Sequence, residues 1–204
     1  MEISSVNQHF GNIDIYLLDQ ILKNKFHQGM KVLDAGCGEG RNLMYFLNSG
    51  YDVYGMDIDT TAVNALKFIA GSLRPDLDRD HFQQGDIETL PYSDHTFDLI
   101  IASAVLHFAS NERHFLKMFG ELIRCIKIGA MLFVRMTSDI GIEEKVVPRG
   151  SGRYLLPDGT ERFLLTRKTL LELEKHHSLI YLEPFKTVNV NDLRCMSTLI
   201  ITTP

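Results

Sequence analysis

The sequence predicts an α/β fold, an open and mostly parallel sheet with helices on both faces. Three observations predict it. Short aliphatic runs of strand length alternate with stretches of helical period through most of the 204 residues. The first such run, Lys31–Ala35 (KVLDA), passes directly into the glycine-spaced stretch GCGEG. That is a strand-to-helix bend at the place where such sheets bind ligands. The composition, 45% hydrophobic and 23% charged, is that of an ordinary globular chain able to bury its own core.

The elements follow in order. Apolar residues at 13, 17, 18, 21 and 22 predict a helix over 12–26, ended by Gly29. Residues 1–29 then form an N-terminal helical cap on a single domain spanning 1–204. After the first strand, Arg41–Asn48 reads as helix with Gly50 as its C-terminal signal. Tyr51–Met56 reads as a second strand. Asp59 or Thr60 caps a helix carrying Val63, Leu66 and Ile69, ended by Gly71 and Pro75. His81–Gln84 is a weak third strand and Phe97–Ala102 a strong fourth. Asn111 caps a helix with Phe115, Phe119, Leu122 and Ile126 on one stripe. Gly129 ends it, and Met131–Arg135 is a fifth strand. A helix runs from near Thr166 to about His176, and Ile180–Glu183 and Thr198–Thr202 complete seven strands.

Residues 137–165 break the alternation. They contain Pro148, a glycine cluster near 150, and RYLLPDGTERF, in which Pro-Asp-Gly is a turn signal between two mixed runs. The segment is either a lid over the strand ends or a surface elaboration.

The net charge of −5 leaves no electrostatic footprint for a phosphate backbone, which argues against nucleic acid as a partner. No apolar stretch has the length of a membrane span, and no secretory leader is expected. Cys37, Cys125 and Cys195 form neither a disulfide framework nor a metal pair, so a reduced, cytoplasmic setting is expected, and no metal.

Gly36, Gly38 and Gly40 tolerate positive φ and let a bulky ligand approach the backbone, with the next helix aiming free N–H groups at it. The spacing G-x-G-x-G brings the third glycine one residue earlier than the dinucleotide fingerprint G-x-G-x-x-G, and no Walker lysine follows. Asp34, before the loop, repels a pyrophosphate and attracts an ammonium or sulfonium. Asp57, at the end of strand two, is placed to accept from both hydroxyls of a ribose.

In these residues the sequence resembles the class I S-adenosylmethionine-dependent methyltransferases. VLDAGCGEGRN resembles their first motif and VYGMDID their second. GDIETLPYSDHTFDLIIASAVLHF resembles their adenine-side and strand-four motifs, and ELIRCIKIGAMLFVR their helix–turn–strand-five segment. The last of these has Ile128 where proline is common and Ala130 where a second glycine is common. The resemblance covers residues 30–136 and implies a Rossmann-like sandwich with an antiparallel last strand. It implies S-adenosyl-L-methionine as cofactor, the three glycines and Cys37 around its methionine part, and Asp34 near its ammonium. Asp57 would then bind the ribose, Ile58 pack on the adenine, Asp86 accept from the adenine amino group, and Ile87 N–H meet a ring nitrogen. Ser103 would line the methionine side. Asn42, with Arg41, lies in the expected first helical turn, where capping and ligand contact are both open. The pattern GRN…L…GYDV is similar to tellurite-resistance-type and other bacterial small-molecule methyltransferases.

The acceptor is less legible. SAVLHF after strand four contains neither an Asn/Asp-Pro-Pro-aromatic motif nor Pro-Cys, so a small-molecule acceptor is expected rather than a base of DNA. His107 is a candidate general base titrating in the useful range, or a histidine packed beside the cofactor. Arg135, Arg153 and Arg162 are candidates for binding an anionic acceptor. His9, Phe10 and Tyr16 lie where the N-terminus closes over the pocket in the resembled family. A nicotinamide-dependent oxidoreductase, an aminopropyltransferase and a non-catalytic cofactor-binding module remain the alternatives. Nothing in the sequence addresses oligomeric state.

Overall fold

A computed structural model describes residues 3–204, with side chains from residue 6 onward; residues 1 and 2 of the expected cap lie outside the described residues. The main sheet runs in the order β10-β11-β5-β4-β1-β2-β3. Its strands are β1 (Lys31–Ala35), β2 (Asp52–Asp57), β3 (Phe82–Gln84), β4 (Phe97–Ser103), β5 (Ile126–Ser138), β10 (Lys186–Val190) and β11 (Arg194–Thr202). β1 pairs in parallel with both β2 and β4, and β11 runs antiparallel between β5 and β10. The chain therefore builds outward from β1 in one direction and from β4 in the other. The switch point lies between these two strands.

Both faces are buried, which is why the strands read as aliphatic runs. Leu33, Ile100, Leu132 and Val134 point to one side, where α5 (Glu112–Cys125) contributes Phe115, Phe119 and Leu122 and α6 (Arg167–His177) contributes Leu173. Val32, Leu99, Ile101 and Phe133 point to the other. There they meet α2 (Ile15–Leu22), α3 (Met44–Asn48) and α4 (Thr60–Leu73) through Leu17, Phe46 and Leu66. The caps follow short-range chemistry. Asp59 accepts from Thr61 N–H, Asn111 from His114 N–H and Thr166 from Thr169 N–H.

Several boundaries differ from expectation. The N-terminal segment is two helices, α1 (Ile3–Phe10) and α2, because Gly11 takes positive φ and Asp14 caps a new start. Arg41 and Asn42 lie in a turn, and α3 begins only at Met44. Gly71 does not stop α4, which runs on to Leu73. Gly129 does not end α5 either. That helix stops at Cys125, and Gly129 sits inside the longer β5 with φ +75°. The sixth main-sheet strand is Lys186–Val190. Ile180–Tyr181 (β9) is a two-residue pairing on the same partner, β11.

The hairpin expected from Pro-Asp-Gly is present. β6 (Val147–Gly150), β7 (Arg153–Leu155) and β8 (Glu161–Phe163) form a separate antiparallel sheet. Phe163 anchors it by stacking on Phe115 at 4.5 Å, and Arg153 Nη1 donates to the Ala109 carbonyl at 3.0 Å. Among the described residues no helix is long and apolar enough to cross a membrane.

Candidate active site

Beyond Asp34 and Ala35 the chain bends back toward β2. Gly36 N–H and Cys37 N–H both donate to the Met56 carbonyl, at 2.8 and 3.0 Å, and Gly38 N–H donates to Asp57 Oδ2 at 2.8 Å. Gly40 N–H closes on the Cys37 carbonyl at 2.9 Å. These four loop amides are satisfied within the protein, so they are not among the free amides expected of a helix start. What the glycines supply is room. Gly36 has φ +83°, and a Cβ there would lie 2.4 Å from Val105 Cγ2. A Cβ on Gly40 would lie 2.5 Å from Leu66 Cδ1.

Asp34 is 1% exposed, and neither carboxylate oxygen has a hydrogen-bond partner among the described residues. Burial pushes its pKa well above the usual carboxylate range; Arg41 opposes that rise and Asp57 adds to it. A buried carboxylate without donors is costly unless a cation reaches it, so this site fits a ligand carrying an ammonium or sulfonium. Cys37 is buried beside Gly55, and burial, with Asp34 and Asp57 adding, pushes its thiol far up. It stays protonated and is no nucleophile.

Two cavities open at the carboxyl ends of the strands. The first, about 340 Å³, is lined by Gly36, Asp57, Ile58, Asp86 and Ile87, as the sequence leads one to expect. It is also lined by Ala104, Val105, Phe108, His114 and Met118. Ile58 is 68% exposed, an apolar surface open to a planar ring. Asp57 accepts from Asp59 N–H at 2.9 Å and from Gly38 N–H; a carboxylate has about four acceptor sites, which leaves capacity for hydroxyls. Asp86 accepts from Glu88 N–H at 2.9 Å and is exposed. Asp34, Cys37, Gly38, Gly40, Asn42 and Ser103 do not line this cavity.

The second cavity, about 270 Å³, brings together Arg41, His107 and Arg135 with Thr137, Asp158, Thr160, Arg162 and Arg194. Ala104, at φ +61°, lines both cavities and marks where they meet. His107 is buried, and its Nδ1 accepts from Thr137 N–H at 3.3 Å, which places the proton of the neutral ring on Nε2. Burial, then the guanidinium groups of Arg162 and Arg194, push its pKa down to about 4. The expected base titrating near neutrality is therefore corrected to a neutral hydrogen-bond donor.

Arg135 Nη1 donates to Asp14 Oδ2 at 2.6 Å, and the Asp14 side chain is fully buried. Ser103 Oγ donates to the same oxygen at 3.3 Å, Arg41 Nη2 donates to Ser103 Oγ at 3.4 Å, and Asp14 N–H donates to Asn42 Oδ1 at 3.0 Å. Asn42, Ser103 and Arg135 thus fasten α2 to the site. Tyr16 lies over Arg135 at 5.5 Å, whereas Phe10 stacks on Tyr45 and His9 lies edge-on to it. Arg153 anchors the hairpin instead of facing the cavity. Sequence reasoning missed Asp14, although an aspartate before Ile-Tyr-Leu-Leu is an N-cap signal. It also missed Arg194, for which no local signal exists.

The family profile described as "Methyltransferase domain" matches residues 33–134, half of the chain, and the chain belongs to that family. A malonyl-[acyl-carrier protein] O-methyltransferase of Pectobacterium atrosepticum is 26% identical over 136 residues. The match covers 67% of this chain and 48% of that protein, so the chain spans about half the length of this relative. Two solved structures share the fold. One is a SAM-dependent methyltransferase of Methanosarcina mazei, with TM-score 0.70, 20% identity and coverage of 90% and 96% of the two chains. The other is the magnesium protoporphyrin IX methyltransferase of Synechocystis with bound SAH, with TM-score 0.67, 16% identity and coverage of 100% and 89%.

Proposed function

We propose that this chain binds S-adenosylmethionine in the first cavity and methylates a small molecule held in the second. The observation that carries this is Asp34, a buried carboxylate with no hydrogen-bond partner among the described residues, two residues before Gly36 and near enough to Asp57 to feel its charge. Asp34, just outside the cavity lining, would draw the ammonium by its charge, while Asp57 would hold the ribose hydroxyls and Ile58 one face of the adenine. When bound, the cofactor supplies an electrophilic methyl on sulfonium. The protein's own part is positioning and dryness. Ala104 forms the wall common to both cavities, His107 offers Nε2–H to orient an acceptor oxygen, and the β7–β8 hairpin serves as a lid that limits water. His107 and Arg135 then act on acceptor placement, with no proton removed by the imidazole.

The chain acts as one domain with its lid inserted after β5. Its free, buried cysteines support a reducing, cytoplasmic setting. The Pectobacterium relative, by its name, acts on a carrier-linked malonyl group, and a small carboxylated acceptor here is in keeping with that. The test is incubation with methyl-labelled S-adenosylmethionine across thiols, phenols, amines, carboxylates and oxyanions. Label is expected in one class together with released S-adenosylhomocysteine. Cofactor binding with no transfer to any class would favour a non-catalytic binding module instead.

A further inference from the structure

We infer that the second cavity is built for a small organic dianion, a dicarboxylate or a phosphate monoester, clamped by Arg162 and Arg194. The inference rests on reading that cavity as the acceptor site, and it names the acceptor's charge. Four guanidinium groups converge on about 270 Å³ from four separate parts of the chain. Arg41 comes from the turn after the glycine loop, Arg135 from β5, Arg162 from β8 and Arg194 from the start of β11. Two of them are matched: Arg135 by Asp14 at 2.6 Å and Arg194 by Asp158 at 3.8 Å.

Arg41 and Arg162 form no ion pair among the described residues. Arg41 reaches Ser103 Oγ at 3.4 Å, and its field reaches Asp34 without an ion pair. Arg162 donates to the Glu161 carbonyl at 2.8 Å and lies over the Phe108 ring at 4.9 Å. A chain of net charge −5 thus concentrates two unmatched cations in one pocket. Like charges held this close repel unless an anion joins them, and the guanidinium fork suits carboxylate and phosphate oxygens. The other donors agree. His107 lines the cavity with its Nδ1 taken up by Thr137 N–H, and its ring is kept neutral by burial first and by Arg162 and Arg194 second. Asp158 is held by Thr160 N–H at 2.9 Å and Thr160 Oγ1 at 2.6 Å. The hairpin turn therefore carries its own carboxylate, which holds Arg194 at the rim across 3.8 Å with no hydrogen bond among the described residues, so the N–H donors of Arg194, like the charge of Arg162, remain for the ligand.

The experiment titrates malonate, glycerol 3-phosphate and neutral dimethyl malonate into the full chain by calorimetry, with and without S-adenosylhomocysteine. At least one dianion is expected to bind no less than tenfold more tightly than the neutral ester, and more weakly as salt rises. Whichever of malonate and glycerol 3-phosphate binds more tightly identifies the anion class. Arg162→Gln and, independently, Arg194→Gln are expected to weaken the dianion at least tenfold while S-adenosylhomocysteine affinity is unchanged. Equal binding of the neutral ester, no binding of either dianion, or unaltered dianion affinity in both folded variants overturns the inference. Loss of S-adenosylhomocysteine binding by the unaltered chain instead overturns the cofactor reading on which it rests.

Discussion

A carboxyl buried without a donor holds its proton more tightly in the folded chain than in the unfolded one. Asp34 is in that position, raised above its ordinary 3.8 by burial. The folded state therefore binds more protons as pH climbs from about 4, and stability falls through that window until the folded carboxyl ionises. His107 works the other way. Its ring is lowered from 6.5 to about 4, so the stability of the neutral buried ring is present above pH 6.5 and is lost as pH falls toward 4. That loss is roughly 3 kcal/mol. The two windows overlap, so each variant unmasks the other residue. Asp34→Asn is expected to make stability rise more steeply from pH 4.5 to 6.5, and His107→Gln to make it fall over that range. Urea unfolding across that range checks both, and profiles parallel to the unaltered protein would contradict the assignments. At this scale Gly36, Asp57, Ile58, Asp86 and Ile87 were legible because each lies within a local motif at a strand end. Asp14, 121 residues from Arg135 in sequence, and Arg194 act through tertiary contact that no local pattern encodes.

The elements are held to the site by a few buried contacts. α2 depends on Asp14, which caps Tyr16 N–H at 3.0 Å and pairs with Arg135. Asp14→Ala leaves the Arg135 charge unmatched and removes the cap. The expected cost is about 3 kcal/mol, with faster amide exchange over Ile15–Leu22, read by hydrogen exchange. The glycine loop depends on contact with the segment after β4. Gly36→Ala forces a methyl into Val105 at positive φ and is expected to cost about 2 kcal/mol or more. Val105→Ala in the same chain should relieve part of that loss, measured as a double-mutant cycle. The β-hairpin hangs on Phe163, 1% exposed, and Phe163→Ala is expected to cost about 3–5 kcal/mol in chemical unfolding. Strands buried on both faces were legible from their aliphatic runs. The edge strand Lys186–Val190 (KTVNV) was not, because it is half-exposed and mixes polar with apolar residues. The start of β5 was misread because Gly129 is a bend within a strand rather than a helix stop, while the actual stop at Cys125 carries neither glycine nor proline.

Across the whole molecule, the sheet order places the ends of β1, β2 and β4 side by side, and the two cavities share Ala104 above that point. A cation-bearing nucleoside in one cavity and an anion in the other would each meet the charge it needs, Asp57 and Asp86 lining the first and the arginines the second. The alternation of strands and helices was enough to foresee this arrangement, because the switch point follows from connectivity. The charge of the second cavity was not, because its arginines meet only when β8 packs beside the strand ends and the start of β11 pairs with the end of β5. The most direct test of the account is calorimetric titration of ligand-free protein with S-adenosylhomocysteine. One molecule is expected per chain, with affinity at least tenfold weaker in Asp57→Ala. At a hundred times the dissociation constant it should add about 2.7 kcal/mol of stability, which NAD does not reproduce. Absence of heat with both S-adenosylhomocysteine and S-adenosylmethionine, or undiminished binding in Asp57→Ala, would contradict it.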